Sequence, residues 1–514
     1  MTSPAVPRNI RVVADAASLS AWLSALCKRL AADGAAVSLD LREGGSRLSA
    51  LDTLLSLEAM LLRRGRPCWC DRIGMADVAR WTAGSHASED LTIDLTAAGI
   101  IAATPILRPL FDGAKGEEAL ASALFFRGTP RIDILFIMPS GEADIVASGT
   151  AALEVSGGIG GAMEAVWSRT ILLLQKAIAD PRQKTAGDPT EPPPIIRRAD
   201  VLRYGAKAVA SAAARAAYRL CCHAPHWRIG WRFVDDGHDV WSRRDLGGTR
   251  WSVLADPVDH FYADPVPWRH QGRDYLLFED LDHRTNKGII SAVAFDEAGR
   301  PGPAVPVLEE PWHMSYPFLI EAEGAVWMIP EASLSGAIAI YRAVDFPWRW
   351  ERHATLVSGV EAADATVVAH EGRFYMFAVV RDGIGGYSDT LAIWHAPNLF
   401  GPWQPHAGNP VMVDDRAARP AGNFVEMDGA LWRPVQDCRG GYGAALGLAR
   451  IDRLDPENFA QTVEKTLHPG GEVWPGRRLH TLNRAGRLEV IDGSIIRPRW
   501  KPLADMVDQK YRPG

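Results

Sequence analysis

The feature that most constrains this chain is a hairpin that recurs five times in its second half. Tyr262-Ala-Asp-Pro-Val-Pro-Trp268 leads to Gly272-Arg-Asp-Tyr-Leu-Leu-Phe278, and Ser315-Tyr-Pro-Phe-Leu-Ile320 leads to Gly324-Ala-Val-Trp-Met-Ile329. Ala363-Asp-Ala-Thr-Val-Val368 precedes Gly372-Arg-Phe-Tyr-Met-Phe377, and Gly422-Asn-Phe-Val-Glu426 precedes Gly429-Ala-Leu-Trp-Arg433. A weaker fifth copy joins His480-Thr-Leu-Asn483 to Gly486-Arg-Leu-Glu-Val490. Each copy reads as strand, tight glycine turn, strand, the glycine supplying the positive φ that a hairpin turn requires. The repeat length of roughly fifty to sixty residues suits propeller blades. A β-sandwich, the rival fold, does not need the same hairpin five times. Residues 225–514 are therefore expected to form an all-β, five-bladed β-propeller with four strands per blade.

Composition supports a division of the 514 residues into two domains of different type. Of 18 tryptophans, four precede residue 200 and fourteen follow residue 225. His86 is the only histidine among the first 200 residues. Aromatic rings after the turn glycines are expected to pack blade against blade. Residues 183–198 read as a Pro-rich, extended linker.

Residues 1–182 alternate strand and helix signals. Ile10–Ala14, Ala36–Leu41, Leu91–Leu95, Ile132–Ile137 and Ala143–Ala147 read as strands. Ser18–Leu30, Leu48–Leu62 and Met163–Ile178 have helical periodicity. This alternation predicts an α/β, Rossmann-like domain with a parallel sheet. The first βα turn, Ala14–Ser18, lacks GxGxxG, so no dinucleotide is expected. Residues 199–224 form a basic, Ala-rich helix, with no acid between Val201 and Val234. It reads as a packing helix between the domains, and alternatively as a helix lying on an anionic membrane surface.

A net charge of -6 excludes the basic footprint of a nucleic-acid binder. Six scattered cysteines read as reduced thiols of a cytoplasmic protein. No secretory signal and no membrane-spanning run is visible. Cys68-Trp-Cys70 has no His or Cys cluster beside it, so no metal is expected there.

The polar residue of each repeat lies six to eight positions before the turn glycine. Innermost strands begin around the central channel, so Asp264, Tyr316, Asp364, Asn423 and His480 are expected to ring one mouth of it. A carboxylate at the start of a buried strand is costly unless it is paired or used. Asp264 and Asp364 are in that position, and Glu331 ends an apolar strand in Met328-Ile-Pro-Glu331. These three are the candidate catalytic residues, suited to acid–base work on a glycosidic bond. Hydrogen bonding to backbone at blade turns is their structural alternative. His313, Tyr316, Arg419, Asn423, Arg433, Gln436, Asp437, Tyr442 and His480 are the candidate substrate contacts. Guanidinium and amide groups suit sugar hydroxyls, carboxylates or phosphates, and inter-blade ion pairing is the alternative. Trp268 and Trp312 are candidates to stack on a sugar face.

Phe261-Tyr-Ala-Asp-Pro265, His313-Met-Ser-Tyr-Pro317, Met328-Ile-Pro-Glu331, Tyr341, Phe346-Pro-Trp-Arg-Trp350, Asp364-Ala-Thr366 and Arg433-Pro-Val-Gln-Asp-Cys438 occur in that order. Together they resemble the N-terminal propeller domain of the glucosamine inositolphosphorylceramide transferase family, over about residues 227–498. The resemblance implies a five-bladed propeller of the arabinanase, xylosidase and invertase superfamily, whose site takes an Asp, an Asp and a Glu from the first three blades. Asp264 matches the first; Tyr316 and Asp364 stand at the second and third. In the plant relatives sugar transfer is attributed to another domain. Residues 1–182 resemble a formyltransferase domain in layout, with a late glycine-rich segment, Gly157-Gly-Ile-Gly-Gly161. That family needs an Asn, a His and an Asp, whereas residues 10–180 contain no Asn and His86 stands alone. A degenerate docking or partner-binding domain is expected.

The expected protein is carbohydrate-active. It takes a glycan, glycolipid head group or nucleotide-sugar in the propeller funnel, without cofactor or metal, in envelope or exopolysaccharide metabolism. The alternative is a non-catalytic glycan-binding or scaffold module of a polysaccharide assembly system. Its expected location is the cytoplasm, with peripheral membrane contact through residues 199–224.

Overall fold

In the computed structural model the second half of the chain closes five four-stranded antiparallel sheets into a ring, with one extra two-residue strand on the third. The structure describes residues 9–511 apart from 44–48, 64, 83–88, 155, 182–192, 471–473 and 475. His86 and most of the Pro-rich stretch 183–198 lie outside the described residues. Contacts divide the chain into two units, Met1–Ser211 with Gly383–Gly386, and Ala212–Asp382 with Tyr387–Gly514.

Blades 1 to 3 begin with His260–His270, Ser315–Ala322 and Ala362–His370, and blade 4 with Val425–Met427. Blade 5 is built from both ends of the propeller: Thr481–Ala485 and Leu488–Ser494 are completed by Trp227–Phe233 and Ser252–Val253. This closure ties the two ends of the propeller into one blade. The hairpin turns of the first four blades are two-residue loops with both φ positive, Gln271-Gly272, Glu323-Gly324, Glu371-Gly372 and Asp428-Gly429. Those are type I′ turns, whose twist matches the flanking strands.

The tryptophan excess is core. Trp227, Trp241, Trp251, Trp327, Trp350, Trp394, Trp432 and Trp474 are all buried. A ring of this size buries about 150–250 Å², or roughly 4–6 kcal/mol at about 25 cal/mol/Å². Trp268 and Trp312, expected to be free to stack on sugar, instead pack half-buried against the cluster of Val266, Leu319, Met328 and Trp350.

The first unit carries a six-stranded sheet: β1 Asn9–Asp15, β2 Ala36–Arg42, β3 Leu91–Asp94, β4 Ile106–Phe111, β5 Arg131–Ile137 and β6 Ala143–Thr150, in the order β2-β1-β3-β4-β5-β6. Its helices include α1 Ala21–Ala32, α2 Ser49–Glu58, α3 Gly116–Phe126 and α4 Gly158–Ala179. The wholly parallel sheet read from the sequence needs correction. Pairs β1–β2, β1–β3 and β3–β4 are parallel, but β4–β5 and β5–β6 are antiparallel. Strand β4 escaped prediction because Arg108 and Pro109 interrupt its apolar run; Asp94 neutralises Arg108 at 2.7 Å. Helix α1 starts after Ser20, and a 3₁₀ turn, Ala16–Ser18, precedes it.

The glycine-rich segment opens α4 and is occupied by the chain itself. Glu58, at the end of α2, accepts the N–H groups of Ile159 (2.9 Å) and Gly160 (2.8 Å). Gly158 has φ +81, and a Cβ there would lie 2.4 Å from Glu58 Oε1. The anion that a helix N-terminus attracts is here a side-chain carboxylate.

Residues 199–224, expected to be helical, fall mostly in helix α5, Arg198–Cys221. Val201 is its one buried residue, whereas Leu202, Val209 and Leu220, which share one stripe, are 75%, 64% and 79% exposed. Among the described residues no helix is long and apolar enough to cross a membrane.

Candidate functional site at the propeller axis

The site is made by an irregularity repeated in three blades. In blades 1, 2 and 3 the ladder between the first two strands slips, between Ala263 and Val266, Ser315 and Phe318, and Ala363 and Thr366. The residue inside each slip is Asp264, Tyr316 or Asp364, with φ of 52°, 40° and 57°. Non-glycine residues in this left-handed region cost on the order of 1–3 kcal/mol and persist where the surroundings hold them. A β-bulge re-aims a side chain; here all three are buried at the centre.

A second set comes from the second strands. Glu279, Glu331 and Gln436 each lie seven residues past their turn glycines. Glu279 pairs with Ala263 and Glu331 with Ser315, each beside a bulge. Glu331 accepts from Ser315 Oγ and Ser333 N–H, both at 2.8 Å. Glu279 is the residue that sequence reasoning missed. It ends the apolar run Leu276-Leu-Phe278 as Glu331 ends its own, so the repeat register held the signal.

Blade 5 supplies a charge chain. His480 reaches Asp492 Oδ1 through Nδ1 (2.6 Å) and Asp264 Oδ1 through Nε2 (3.2 Å). Trp227 stacks on its ring at 4.1 Å. The Asp264 N–H donates to Asp492 Oδ2 at 2.8 Å. Burial opposes a charge on His480, but Asp492 and Asp264 outweigh it and push the imidazole up to about 10. Burial likewise opposes the Asp264 charge, yet His480 and Arg419 hold this carboxyl below its usual value. Asp264, His480 and Asp492 offer ligand atoms within 4.8 Å of one another, the spacing of a cation site. Here the imidazole itself bridges the two carboxylates.

The other acids are pushed the opposite way. Burial, reinforced by the Asp264 charge, raises Glu279 well above the ordinary carboxyl range. His313 Nε2 lies 3.3 Å from it, and His313 Nδ1 accepts the Gly288 N–H. Burial raises Asp364 to about 6 although Arg419 opposes the shift; the Arg419 Nε–Asp364 Oδ2 distance is 2.6 Å. Arg419 also bonds Tyr387 O (3.2 Å) and Tyr442 Oη (3.4 Å) and lies over the Tyr442 ring. Gln436 Nε2 reaches Asp364 at 3.4 Å. Tyr316 Oη meets Thr366 Oγ1 at 2.9 Å.

The structure thus gathers Asp264, Glu331, Asp364, Tyr316, Arg419, Gln436, Tyr442 and His480, with His313 on Glu279. Asn423 sits at the edge, its N–H tied to Asn483 Oδ1 at 2.7 Å. Two expectations need correction. Arg433 is directed away: it bonds Gln461, Ala417 O and Ala418 O, buried between strands. Asp437 pairs with Arg439 at 2.6 Å. Alternation along Ala430–Asp437 sends Gln436 inward and both neighbours outward.

These features define a five-bladed propeller with a charged, acid-rich axis. Residues 252–493, most of the propeller, match the model of the N-terminal domain of glucosamine inositolphosphorylceramide transferase 1. The chain is 31% identical over 250 residues to glucosamine inositolphosphorylceramide transferase 1 of Arabidopsis thaliana, covering 46% of this chain and 32% of the relative. The protein of the same name from Oryza sativa subsp. japonica is 30% identical over 252 residues, with 46% and 34% covered. The chain therefore spans about a third of the length of these relatives. Solved structures with a similar chain course include a family 117 glycoside hydrolase from Zobellia galactanivorans (TM-score 0.34, 10% identity, 52% and 90% covered). Another is the catalytic domain of a Coprinopsis cinerea GH62 α-L-arabinofuranosidase (TM-score 0.33, 15% identity, 51% and 85% covered).

Proposed function

We propose that the propeller axis binds a sugar of a glycan or glycolipid head group and transfers or hydrolyses its glycosyl bond by acid–base chemistry. The observation that carries this reading is a pair of neighbouring carboxyls with opposite shifts: against burial, His480 and Arg419 hold Asp264 below its usual value, while burial and the Asp264 charge push Glu279 well above its own. Environments that separate two acids in this way assign a base or nucleophile and an acid. Asp264 accepts a proton or attacks the anomeric carbon, and Glu279 protonates the leaving oxygen. Asp364 with Arg419, and Glu331, orient hydroxyl groups and set the field. The family match supports the carbohydrate class; the transfer activity named for the plant relatives is part of the proposal only.

The test is a glycan and nucleotide-sugar binding screen with product analysis on the full chain. Turnover by the wild type, lost in Asp264→Asn and Glu279→Gln with ligand still bound, is expected. Turnover must also fall on the alkaline side as Glu279 ionises. Binding without product in the wild type would replace the enzyme by a non-catalytic glycan-binding module, a reading favoured by the Arg419 contact that occupies Asp364.

The proposal extends to location. The protein works at the cytoplasmic membrane surface, on which α5 lies by its exposed stripe of Leu202, Val209 and Leu220, with Arg203, Lys207, Arg215 and Arg219 meeting anionic head groups. Sedimentation with phosphatidylglycerol vesicles, and its loss in Leu202→Asp/Val209→Asp, tests this. For the α/β unit, a degenerate formyltransferase-like fold, the proposed role is partner docking.

A further inference from the structure

The first unit holds a pair of sulfur atoms that the propeller chemistry does not use. A tight turn, closed by the Asp71 N–H on Cys68 O (2.9 Å) and the Cys68 N–H on Asp71 Oδ2 (2.7 Å), points both thiols of Cys68-Trp-Cys70 to one side. Their Sγ atoms are 3.0 Å apart, hydrogen-bonded rather than joined. The wall around them is polar. Cys68 Sγ faces Gly160 O at 3.6 Å, and Glu164, which accepts the Trp69 N–H at 2.9 Å, also bonds the Cys68 side chain. Arg63 stands near, paired with Asp71 at 2.7 Å. The hydrogen bond from Cys70 holds Cys68 below the usual thiol value and Cys70 above it. Cys27 is the internal contrast: equally buried, it is pushed up to about 12 by desolvation. Buried thiols in apolar surroundings are inert, whereas a thiolate beside a cation and a second thiol is reactive.

We propose that Cys68 and Cys70 are a reversible redox pair, closed into a disulfide by hydrogen peroxide and reopened by a dithiol. The Cys68 thiolate sulfur attacks one peroxide oxygen. The O–O bond breaks, and the departing hydroxide leaves as water after taking a proton, the one that Cys68 had passed to Glu164. Cys68 is then a sulfenic acid. Cys70 sulfur attacks it, the S–O bond breaks, and the hydroxide leaves as a second water with the Cys70 proton. The sum is two thiols and one peroxide giving one disulfide and two waters, two electrons passing from sulfur to oxygen. Peroxide is water-sized and needs only a small opening of the turn. Closure draws the sulfurs from 3.0 Å to about 2.05 Å. It also pulls Cys68 from Glu164 and Gly160, so the oxidation state is felt by the first turn of α4.

Thiol counting in denaturant, before and after brief peroxide treatment of the full chain, tests this. The count should fall from six to four, with the peptide carrying Cys68 and Cys70 lighter by two hydrogens and restored by dithiothreitol. In Cys70→Ser a dimedone adduct should form on Cys68, whereas Cys27→Ser should behave as wild type. Peptide mapping of the wild type needs no variant, so a misfolded Cys70→Ser would not shelter the idea. Six surviving thiols, loss mapped to Cys221 and Cys222, or protection of the pair by stoichiometric zinc would each overturn it.

Discussion

Buried acids meet two different fates in the two units. In the α/β unit, Asp94 receives Thr96 N–H and Oγ1–H (3.0 and 2.7 Å), Ile100 N–H (2.9 Å) and Arg108 Nε–H (2.8 Å). Glu58 is held likewise by two N–H groups of α4, with Tyr204 Oη at 3.3 Å. Such acids are scaffolding, because every oxygen answers a donor that would otherwise be unsatisfied. At the propeller axis Asp264, Glu279 and Asp364 instead share one field, with Glu331 beside them held by Ser315 and Ser333. Burial, with repulsion from the Asp264 charge, raises Glu279 and Asp364, while His480 and Arg419 hold Asp264 below its usual value against burial. Burial alone is thus no mark of function; acids left to share a field are.

The largest effect expected from this contrast is on turnover. Asp264→Asn or Glu279→Gln should cost about 10²–10⁴-fold in rate, the usual worth of a positioned acid or base. Glu279→Gln, isosteric with the neutral acid, should leave the melting temperature nearly unchanged, whereas Asp264→Asn takes an ionic partner from buried His480 and should lower it without unfolding the protein at room temperature. A variant that unfolded while the remaining protein kept full activity would place these acids with Asp94.

The mirror experiment is Asp94→Ala. It strands Arg108 and two N–H groups inside the first unit, and removing one partner of a buried pair costs about 3–5 kcal/mol. Calorimetry should show that loss, with ligand binding by the propeller unchanged. A change in ligand affinity matching that of Asp264→Asn would erase the distinction.

A third test uses pH. His480 is raised from 6.5 to about 10, so its charge stabilises the fold fully below pH 6.5 and the gain is lost as pH rises through about 10. Asp264 runs oppositely: held below 3.8, it stabilises above that pH and the gain is lost on acidification. Melting temperature should therefore fall towards pH 10 in the wild type, and His480→Gln should flatten that slope. An unchanged slope would mean that the Asp264–His480–Asp492 chain carries no charge.

The hairpin repeat and its I′ turns were legible because each blade restates them. So were Asp264, Tyr316 and Asp364, which share one distance from the turn glycine. Glu279 was equally legible by register but hid at the end of an apolar strand. Asp492, His480's partner, lies opposite Thr481 in the same hairpin and was within reach of the repeat register; its bond to the Asp264 N–H was not, because only the closure of blade 5 brings Leu488–Ser494 beside blade 1. Strand β4 was hidden by Arg108, whose charge is tolerable only once Asp94 is folded against it. Arg433 and Asp437 were placed in the site by proximity in sequence to Gln436, which a period of two contradicts.

That last point gives the smallest effect. Asp437 and Gln436 are consecutive, so in a strand they face opposite ways. Asp437 is buried but meets Arg439, whose side chain is 55% exposed, and a pair screened on one side contributes about 1 kcal/mol, the upper end for surface pairs. Asp437→Asn should lower stability by no more than that and leave ligand affinity as it was. Gln436→Ala removes an amide that bonds Asp364 and Pro420 O and should weaken ligand binding. Titration of both variants with the same ligand decides the matter, because a strand that placed both side chains at the axis would make them equally defective.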